Sequence, residues 1–273
     1  MSRAPRTALT IAGSDSGGGA GIQADLRTFF ANGVHGLVAL TAVTVQNSLG
    51  VQGFSEIPVD VVTAQIKAVA GDMGVDAAKT GMLATAEIIR EVAKTLDEVD
   101  IGRDTETPFV VDPVAASMTG HALLREDALE AIRTELFPRA TLITPNLDEV
   151  RLLTGIEVTG PATQREAAQA LLAFGSRWVL VKGGHLYDGE DCVDLLSDGR
   201  EFIELSGPRY ITENTHGGGD TMASAITATL AKGATVPEAV AAGKRFIERC
   251  VAESYRLGAG VGPVSPFWRL AGS

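Results

Sequence analysis

The sequence predicts an α/β fold built on a buried, mostly parallel sheet. Short runs of aliphatic and β-branched residues alternate along the chain with longer stretches in which apolar residues recur every three to four positions. Most of the short runs are apolar on both faces, as strands of parallel sheets are. The chain has 273 residues, of which 45% are hydrophobic, so it can bury a large core. We expect one domain over residues 1–273, because no repeat or Pro/Ser-rich linker interrupts the pattern.

Six short runs are predicted strands, and one further region is a predicted hairpin. The six runs are Ala8–Ala12, Leu37–Val45, Ala77–Lys79, Phe109–Asp112, Thr141–Thr144 and Trp178–Lys182. Two β-rich segments, Val193–Leu196 and Glu201–Leu205, flank an Asp198-Gly199 turn. This arrangement predicts an antiparallel hairpin at one edge of the sheet.

The helices between these strands are predicted from apolar periodicity and from residues that favour helix ends. The first carries the apolar stripe Ile22, Leu26, Phe29 and Phe30. The next three have the candidate caps Thr85, Asn146 and Thr163. Two more helices are predicted back to back, from about Gly219 to Lys232 and from Pro237 to about Ser254.

Charge and cysteine content narrow the range of partners. The net charge is −11 and no Lys/Arg cluster is present, which argues against a nucleic-acid partner. An acidic protein that binds phosphate must use backbone N–H groups, helix N-termini, a few cations or a metal. Cys192 and Cys250 lie far apart, so neither a disulfide framework nor a zinc site is indicated. The N-terminal segment is too short for a signal peptide or a membrane span, and we expect a cytoplasmic protein.

Two glycine-rich segments are candidate ligand loops. Residues 13–21 follow the first strand and open the helix that carries Asp25, either as a backbone approach to a small ligand or as a flexible turn. The spacing fits neither the dinucleotide fingerprint nor a Walker A loop. Gly217, Gly218, Gly219 and Asp220 precede a long apolar helix, where consecutive N–H groups and the helix dipole favour an anion. Capping by Asp220 alone would not require three glycines.

Other polar residues follow the predicted strands at the same edge of the sheet. Asn146 and Glu149 can form a capping box, or can direct oxygen ligands at Mg²⁺ that bridges phosphates. Lys182 can neutralise phosphate charge or lie along the surface, and Asp112 is a candidate for the metal or phosphate site. His216 is expected to order its loop rather than act as a base.

Seven blocks, taken together, resemble one enzyme family. They are residues 12–25, Val45-Gln46-Asn47, Lys79-Thr80-Gly81-Met82-Leu83, Thr144-Pro145-Asn146-Leu147, Val181-Lys182-Gly183-Gly184-His185, Asn214-Thr215-His216-Gly217 and Gly260-Val261-Gly262-Pro263-Val264. In this order they resemble the hydroxymethylpyrimidine/phosphomethylpyrimidine kinase family of the ribokinase-like superfamily. The resemblance implies a three-layer αβα fold, ATP and Mg²⁺. It also implies two successive phosphorylations of 4-amino-5-hydroxymethyl-2-methylpyrimidine in thiamine biosynthesis.

The resemblance further implies roles for individual residues. The implied pyrimidine-binding residues are Gly13, Asp25, Thr44, Gln46, Met82 and Val114. From the loop positions described above, we assign nucleotide binding to Asn146, Lys182, Thr215, Gly217 and Gly219. The candidate metal site comprises Asp112, Asn146 and Glu149. The candidate catalytic residues are Lys182, Gly217, Gly218, Gly219 and Asp220, and we expect Asp220 to take the proton of the acceptor hydroxyl.

One departure from the family pattern leaves the substrate open. Many members have His-Gly-Thr-Gly-Cys where this chain has His216-Gly217-Gly218-Gly219-Asp220. An Asp here resembles the general base of ribokinase and pyridoxal kinase relatives, so pyridoxal kinase is the alternative, and a non-catalytic thiamine-precursor sensor is a third. We expect the helix N-terminus to lower the pKa of Asp220. Relatives are commonly dimers, which implies a homodimer.

Overall fold

The computed structural model describes residues 4–115, 125–184 and 191–270. Its main feature is an eight-stranded sheet with the order β10-β9-β8-β7-β6-β5-β1-β2. The strands are β1 Thr7–Ala12, β2 His35–Leu40, β5 Ala77–Thr80, β6 Phe109–Val111, β7 Leu142–Ile143, β8 Trp178–Val181, β9 Asp191–Ser197 and β10 Phe202–Pro208. The first six in this list pair in parallel, whereas β9 and β10 pair antiparallel at one edge. The predicted α/β class and its edge hairpin are confirmed.

Helices cover both faces of this sheet. They are α1 Gly21–Ala31, α2 Val59–Asp72, α3 Ala86–Glu98, α4 Glu126–Ala131, α5 Leu147–Thr154, α6 Pro161–Leu172, α7 Gly218–Ala231 and α8 Val236–Ala252. A π-helical turn, Ile132–Leu136, extends α4, and short 3₁₀ segments follow at Phe137–Arg139 and Pro266–Arg269.

Alternate residues of each strand pack into two separate cores. Phe109 and Val111 of β6 join the core formed with α2 to α6, whereas Val110 joins the core formed with α1, α7 and α8. All three side chains are at most 1% exposed. This alternation follows from the two-residue period of a strand and produces the layered arrangement.

A small second sheet holds part of the candidate pocket. It consists of β3, Ala42–Asn47, and β4, Gly50–Glu56, paired antiparallel. The predicted strand Leu37–Val45 is therefore wrong, because the chain leaves the main sheet at Thr41, where its hydroxyl donates to the Met82 carbonyl at 2.7 Å. The turn of this hairpin is fastened by the Val261 N–H, which donates to the Ser48 carbonyl at 2.9 Å.

Most predicted helix ends are confirmed, with one correction at a helix end and one in an apolar stripe. The side chains of Thr85 and Asn146 accept the N–H groups expected of caps. Thr163 is not a cap, because its helix begins earlier, with Pro161 in the first turn and the Thr163 hydroxyl bound to the Gly160 N–H. Phe30 is 75% exposed and lies outside the buried stripe of α1. Within the described residues, no helix has both the length and the apolar character needed to cross a membrane.

Candidate active site

The carboxyl ends of five parallel strands meet the start of α7. The residues that immediately follow these strands are Gly13 after β1, Gly81 after β5, Asp112 after β6, Thr144 after β7 and Lys182 after β8. In open α/β sheets this edge is where ligands bind. The structure therefore brings most of the predicted site residues to one edge.

The two glycine-rich segments pack directly on each other. Gly217 has φ 74°, and a Cβ at this position would overlap the carbonyl oxygen of Gly19. A Cβ at Gly19 would in turn overlap the ring of His216. At Gly21, where φ is 57°, a Cβ would likewise overlap the Gly13 carbonyl oxygen. Backbone contact of this kind explains why both segments need glycine.

Asp15 organises the first glycine segment and links it to the second. Its carboxylate accepts the backbone N–H groups of Gly17 at 2.7 Å, Gly19 at 2.9 Å and Ala20 at 2.8 Å. The same carboxylate lies 2.9 Å from His216 Nε2. Burial is the largest single effect and raises the pKa of Asp15, but these hydrogen bonds together lower it below its ordinary value. His216 thus joins the two loops, in agreement with the expected ordering role.

The start of α7 offers fewer free N–H groups than three glycines suggest. The Gly218 N–H donates to the Thr215 carbonyl at 3.1 Å within the turn. The N–H groups of Gly219 and Asp220 lie in the first helical turn and have no acceptor within the helix. These two groups, rather than all three glycines, form the candidate anion cradle.

A lysine–aspartate pair lies against this cradle. Lys182 Nζ is 3.1 Å from Asp112 Oδ1, which also accepts the Thr144 hydroxyl at 3.2 Å. A Cβ on Gly219 would lie 3.4 Å from Lys182 Nζ, so glycine leaves space beside the ammonium. Burial tends to lower the pKa of Lys182, but Asp112 and Glu149 raise it above its usual value. Lys182 is only 14% exposed and charged, which excludes the surface-lysine alternative.

Asp25 is not in the pocket, and the expected substrate contact is wrong. The side chain is 0% exposed. Asp25 Oδ1 accepts Lys79 Nζ at 2.8 Å and the Ser224 hydroxyl at 2.5 Å, and Oδ2 accepts the Thr10 hydroxyl at 2.6 Å. A carboxylate with these three donors and no exposed surface cannot reach a ligand.

The pKa of Asp220 is also opposite to the expectation. Burial raises it from 3.8 to about 6; Lys79 acts to lower it, whereas Asp25 and Asp112 raise it further. Desolvation therefore outweighs the helix N-terminus on which the prediction depended. At neutral pH the carboxylate is mostly ionised and is a better proton acceptor than an ordinary Asp.

Asn146 and Glu149 form the capping box that the sequence allowed. The Glu149 N–H donates to Asn146 Oδ1 at 2.9 Å, and the Asn146 N–H donates to Glu149 Oε2 at 2.8 Å. The other carboxylate oxygen accepts the Ala115 N–H at 3.2 Å. Burial, the largest effect, raises the pKa of Glu149 to about 7. In the described part of the chain, no three His, Cys, Asp or Glu side chains form a metal-binding group.

The residues expected to form the pyrimidine pocket come from separate parts of the chain. A Cβ on Gly13 would lie 3.1 Å from Met82 Cε, so glycine makes room for the thioether. The Thr44 hydroxyl donates to the Ser14 carbonyl at 2.7 Å. Val114 has φ 44°, a rare conformation for a β-branched residue and one that concentrates at functional sites.

Gln46 connects this pocket to the phosphate side. Its side-chain Nε2 is 3.5 Å from His216 Nε2, and its backbone exchanges two hydrogen bonds with the Ser16 hydroxyl at 2.6 and 2.8 Å. His216 precedes Asp220 by four residues. The Gln46 amide therefore lies beside the loop that leads into α7.

Sequence reasoning missed Lys79 and Asp15. Lys79 is a fully buried lysine in the four-residue strand β5, otherwise Ala, Ala and Thr. A lysine inside so short a buried strand signals a carboxylate partner, because unpaired charges are almost never buried. The signal for Asp15 is its position two residues before a run of glycines, where Asp side chains accept backbone N–H groups. His185, quoted among the matching blocks, lies outside the described residues.

Comparison with known proteins identifies the family. A family model described as phosphomethylpyrimidine kinase matches residues 15–265. The chain belongs to the phosphomethylpyrimidine kinase family. The kinase is 54% identical over 269 residues to the hydroxymethylpyrimidine/phosphomethylpyrimidine kinase of Mycobacterium leprae, covering 97% of this chain and 95% of that one.

Solved structures of pyridoxal kinases share the fold of this kinase. An ADP complex of the Bacillus subtilis pyridoxal kinase has a TM-score of 0.88 and 41% identity, covering 98% of this chain and all of that one. The Staphylococcus aureus pyridoxal kinase in complex with AMP-PCP and pyridoxal has a TM-score of 0.85 and 35% identity, with coverage of 96% and 93%. The kinase activity in thiamine biosynthesis and the ribokinase-like fold implied by the resemblance are confirmed.

Proposed function

We propose that this kinase transfers the γ-phosphoryl group of ATP to the hydroxymethyl group of 4-amino-5-hydroxymethyl-2-methylpyrimidine, and a second one to the resulting monophosphate. The observation that carries the proposal is the position of Asp220 and Lys182 at the N-terminus of α7. The contact of Gln46 with His216, in the loop that leads into α7, supports placing the pyrimidine next to these groups. The names of the relatives support both the reaction and the substrate.

In this proposal α7 and Lys182 hold the phosphates, and Asp220 acts on the acceptor. The N–H groups of Gly219 and Asp220 and the Lys182 ammonium stabilise negative charge on the phosphoryl group. Gly217 and Thr215 shape the turn that positions them. Asp220 orients the acceptor hydroxyl and takes its proton, for which a pKa of about 6 is suitable near neutral pH. Phosphoryl transfer has a loose transition state, so alignment and charge stabilisation carry most of the catalysis.

The residues also fit Mg²⁺. Magnesium usually binds through one or two carboxylates, phosphate oxygens and several waters, so a dedicated group of three acidic side chains is not needed. The Asp112 carboxylate would bind the ion directly. Asn146 and Glu149 already bond to each other's backbone N–H groups in the capping box, so their side chains would contact the ion through its bound waters. When bound, the ion neutralises charge on the phosphates.

The pyrimidine is assigned to the pocket of Gly13, Thr44, Gln46, Met82 and Val114. The side-chain amide of Gln46 both donates and accepts hydrogen bonds, so it can pair with the edge of an aminopyrimidine. Met82 offers a polarisable apolar surface for the ring. Asp25 is excluded from this set by its burial.

Pyridoxal is the second candidate substrate. The close structural match to two pyridoxal kinases and the presence of Asp220 both favour it. The experiment is a side-by-side measurement of ADP formation by the purified protein with hydroxymethylpyrimidine, its monophosphate and pyridoxal. We expect a higher kcat/KM for the two pyrimidines. A higher kcat/KM for pyridoxal would overturn the substrate assignment while leaving the kinase chemistry intact.

We further propose that the chain acts as one kinase domain and forms a homodimer through the β3–β4 sheet. Val43, Val45, Val51 and Phe54 are each about half exposed on this two-stranded sheet, which is marginally stable alone. Val45→Glu should yield monomers in light scattering, whereas Phe30→Glu, at an exposed site on α1, should not. An unchanged mass for the first variant would contradict this interface. The cytoplasmic location stays a prediction.

A further inference from the structure

A buried ion pair lies directly beneath the candidate base. Lys79 Nζ is 2.8 Å from Asp25 Oδ1, and both side chains are 0% exposed. Hydroxyl groups of Thr10 on β1 and Ser224 on α7 complete the bonding of Asp25. Buried ion pairs contribute little net stability on average, because desolvation offsets their attraction. Net stabilisation of the fold therefore does not by itself explain this pair, and we consider a role in the site.

The geometry of α7 connects this pair to Asp220. Ser224 follows Asp220 by four residues, so both side chains lie on the same face of the helix. Ser224 binds Asp25, and Lys79 Nζ lies 3.9 Å from Asp220 Oδ1. A Cβ on Gly81 would lie 3.5 Å from Lys79 Nζ and 3.8 Å from Asp220 Oδ1. Gly81 therefore lies beside both the ammonium and the carboxylate.

We propose that Lys79, held in place by Asp25, is a positioning residue that fixes the Asp220 carboxylate and supplies the positive charge facing it. This inference rests on the proposed role of Asp220. Neither Lys79 nor Asp25 reaches substrate, because neither is exposed. Lys79 acts through Asp220 alone.

The other charged groups around Asp220 already have partners. The groups that face it from neighbouring elements are Lys79 on β5, Asp25 on α1, Asp112 after β6, Lys182 after β8 and His216 before α7. Lys182 pairs with Asp112 at 3.1 Å, and His216 pairs with Asp15 at 2.9 Å. Lys79 pairs with Asp25 at 2.8 Å and also lies 3.9 Å from Asp220, so Asp220 is the second carboxylate near this ammonium.

A double-mutant cycle tests this inference. The neutral pair Asp25→Asn with Lys79→Met keeps the side-chain sizes and leaves neither member of the Lys79–Asp25 pair as an unpaired buried charge. We expect it to fold, to bind hydroxymethylpyrimidine with a KM within about threefold of wild type, and to lose roughly 10- to 100-fold in kcat. Combined with Asp220→Asn, the pair should cause no further loss, because the residue through which it acts is gone.

The matched control is a second buried lysine–aspartate pair among the described residues, one that has no contact with Asp220. Lys244 and Asp194 lie 2.9 Å apart and are replaced by Met and Asn. The Asn side chain keeps an oxygen that can accept the Gly183 N–H. This double variant should have an unchanged kcat. If Asp25→Asn with Lys79→Met lowers kcat equally in the wild-type chain and in the Asp220→Asn variant, the pair has a purely structural role and the inference is overturned. A large rise in KM at unchanged kcat would return Asp25 to substrate binding. Normal turnover of Asp220→Asn alone would instead refute the base on which the proposed mechanism depends.

Discussion

Replacing Asp220 by Asn should stabilise the fold while it removes activity. The folded pKa of about 6 lies above the ordinary 3.8, so the ionised carboxylate is less stable in the folded chain than in the unfolded one. The free energy of unfolding that this ionisation removes is close to zero below about pH 4 and reaches its full value above about pH 6. The difference of about two pKa units corresponds to about 3 kcal/mol. Asn carries no charge at any of these pH values and avoids that cost.

The assay is urea unfolding of both proteins at two pH values. The variant should gain about 3 kcal/mol in free energy of unfolding near pH 8 and only about 1 kcal/mol near pH 4.5. Asp198→Asn is the control, because backbone N–H groups of Glu201 and Arg200 lower the pKa of that exposed residue; it should gain no stability near pH 8. A pH-independent gain, or a loss near pH 8, would refute the assignment of a desolvated carboxylate to Asp220.

The same variant should lose about 10²- to 10⁴-fold in turnover of hydroxymethylpyrimidine, with a smaller effect on ATP affinity. The loss should be smaller for the monophosphate, whose acceptor oxygen is already anionic and needs no base. Equal losses in the two steps would indicate that Asp220 positions the acceptor rather than taking its proton.

Three further predictions follow from the site. Gln46→Ala should raise the KM for the pyrimidine and retain basal ATP hydrolysis, whereas joint loss of both would make Gln46 structural. Asn146→Ala or Glu149→Ala should raise the Mg²⁺ concentration needed for half-maximal activity; Thr235→Ala, which opens the capping box of α8, should not, and an unchanged magnesium titration would leave both residues as caps only. Wild-type kcat should fall as the pH drops through about 6, because protonation of Asp220 removes the acceptor; a flat profile between about pH 5 and 8 would contradict this.

The central strands and most helix ends could be predicted from sequence because each depends on local pattern. Phe109 and Val111 are apolar on a buried strand, and Asn146 caps its helix through residues only three positions away. The hairpin β3–β4 could not be predicted as a separate sheet. The departure at Thr41 depends on a hydrogen bond to Met82, forty-one positions along the chain.

The errors at the site concern side-chain direction and burial. The family resemblance implies that Asp25 contacts the pyrimidine, but the packing of α1 on α7 turns the side chain toward Ser224 and Lys79. The pKa of Asp220 was expected to fall because only the helix end is visible in the sequence. Desolvation by the surrounding loops and the nearby Asp25 and Asp112 carboxylates is a property of the folded chain.

The small β3–β4 sheet, which carries Thr44 and Gln46, is separate from the eight-stranded sheet, and each of its two strands pairs along one edge only. The proposed phosphate-binding groups, in contrast, lie at the ends of the central strands and at the start of α7. Amide hydrogens of β3 should therefore exchange with solvent sooner than those of β5. Substitutions that redirect this kinase toward another ring can accumulate in the hairpin at little cost to the transfer machinery, so that selectivity and reactivity are separable targets for engineering.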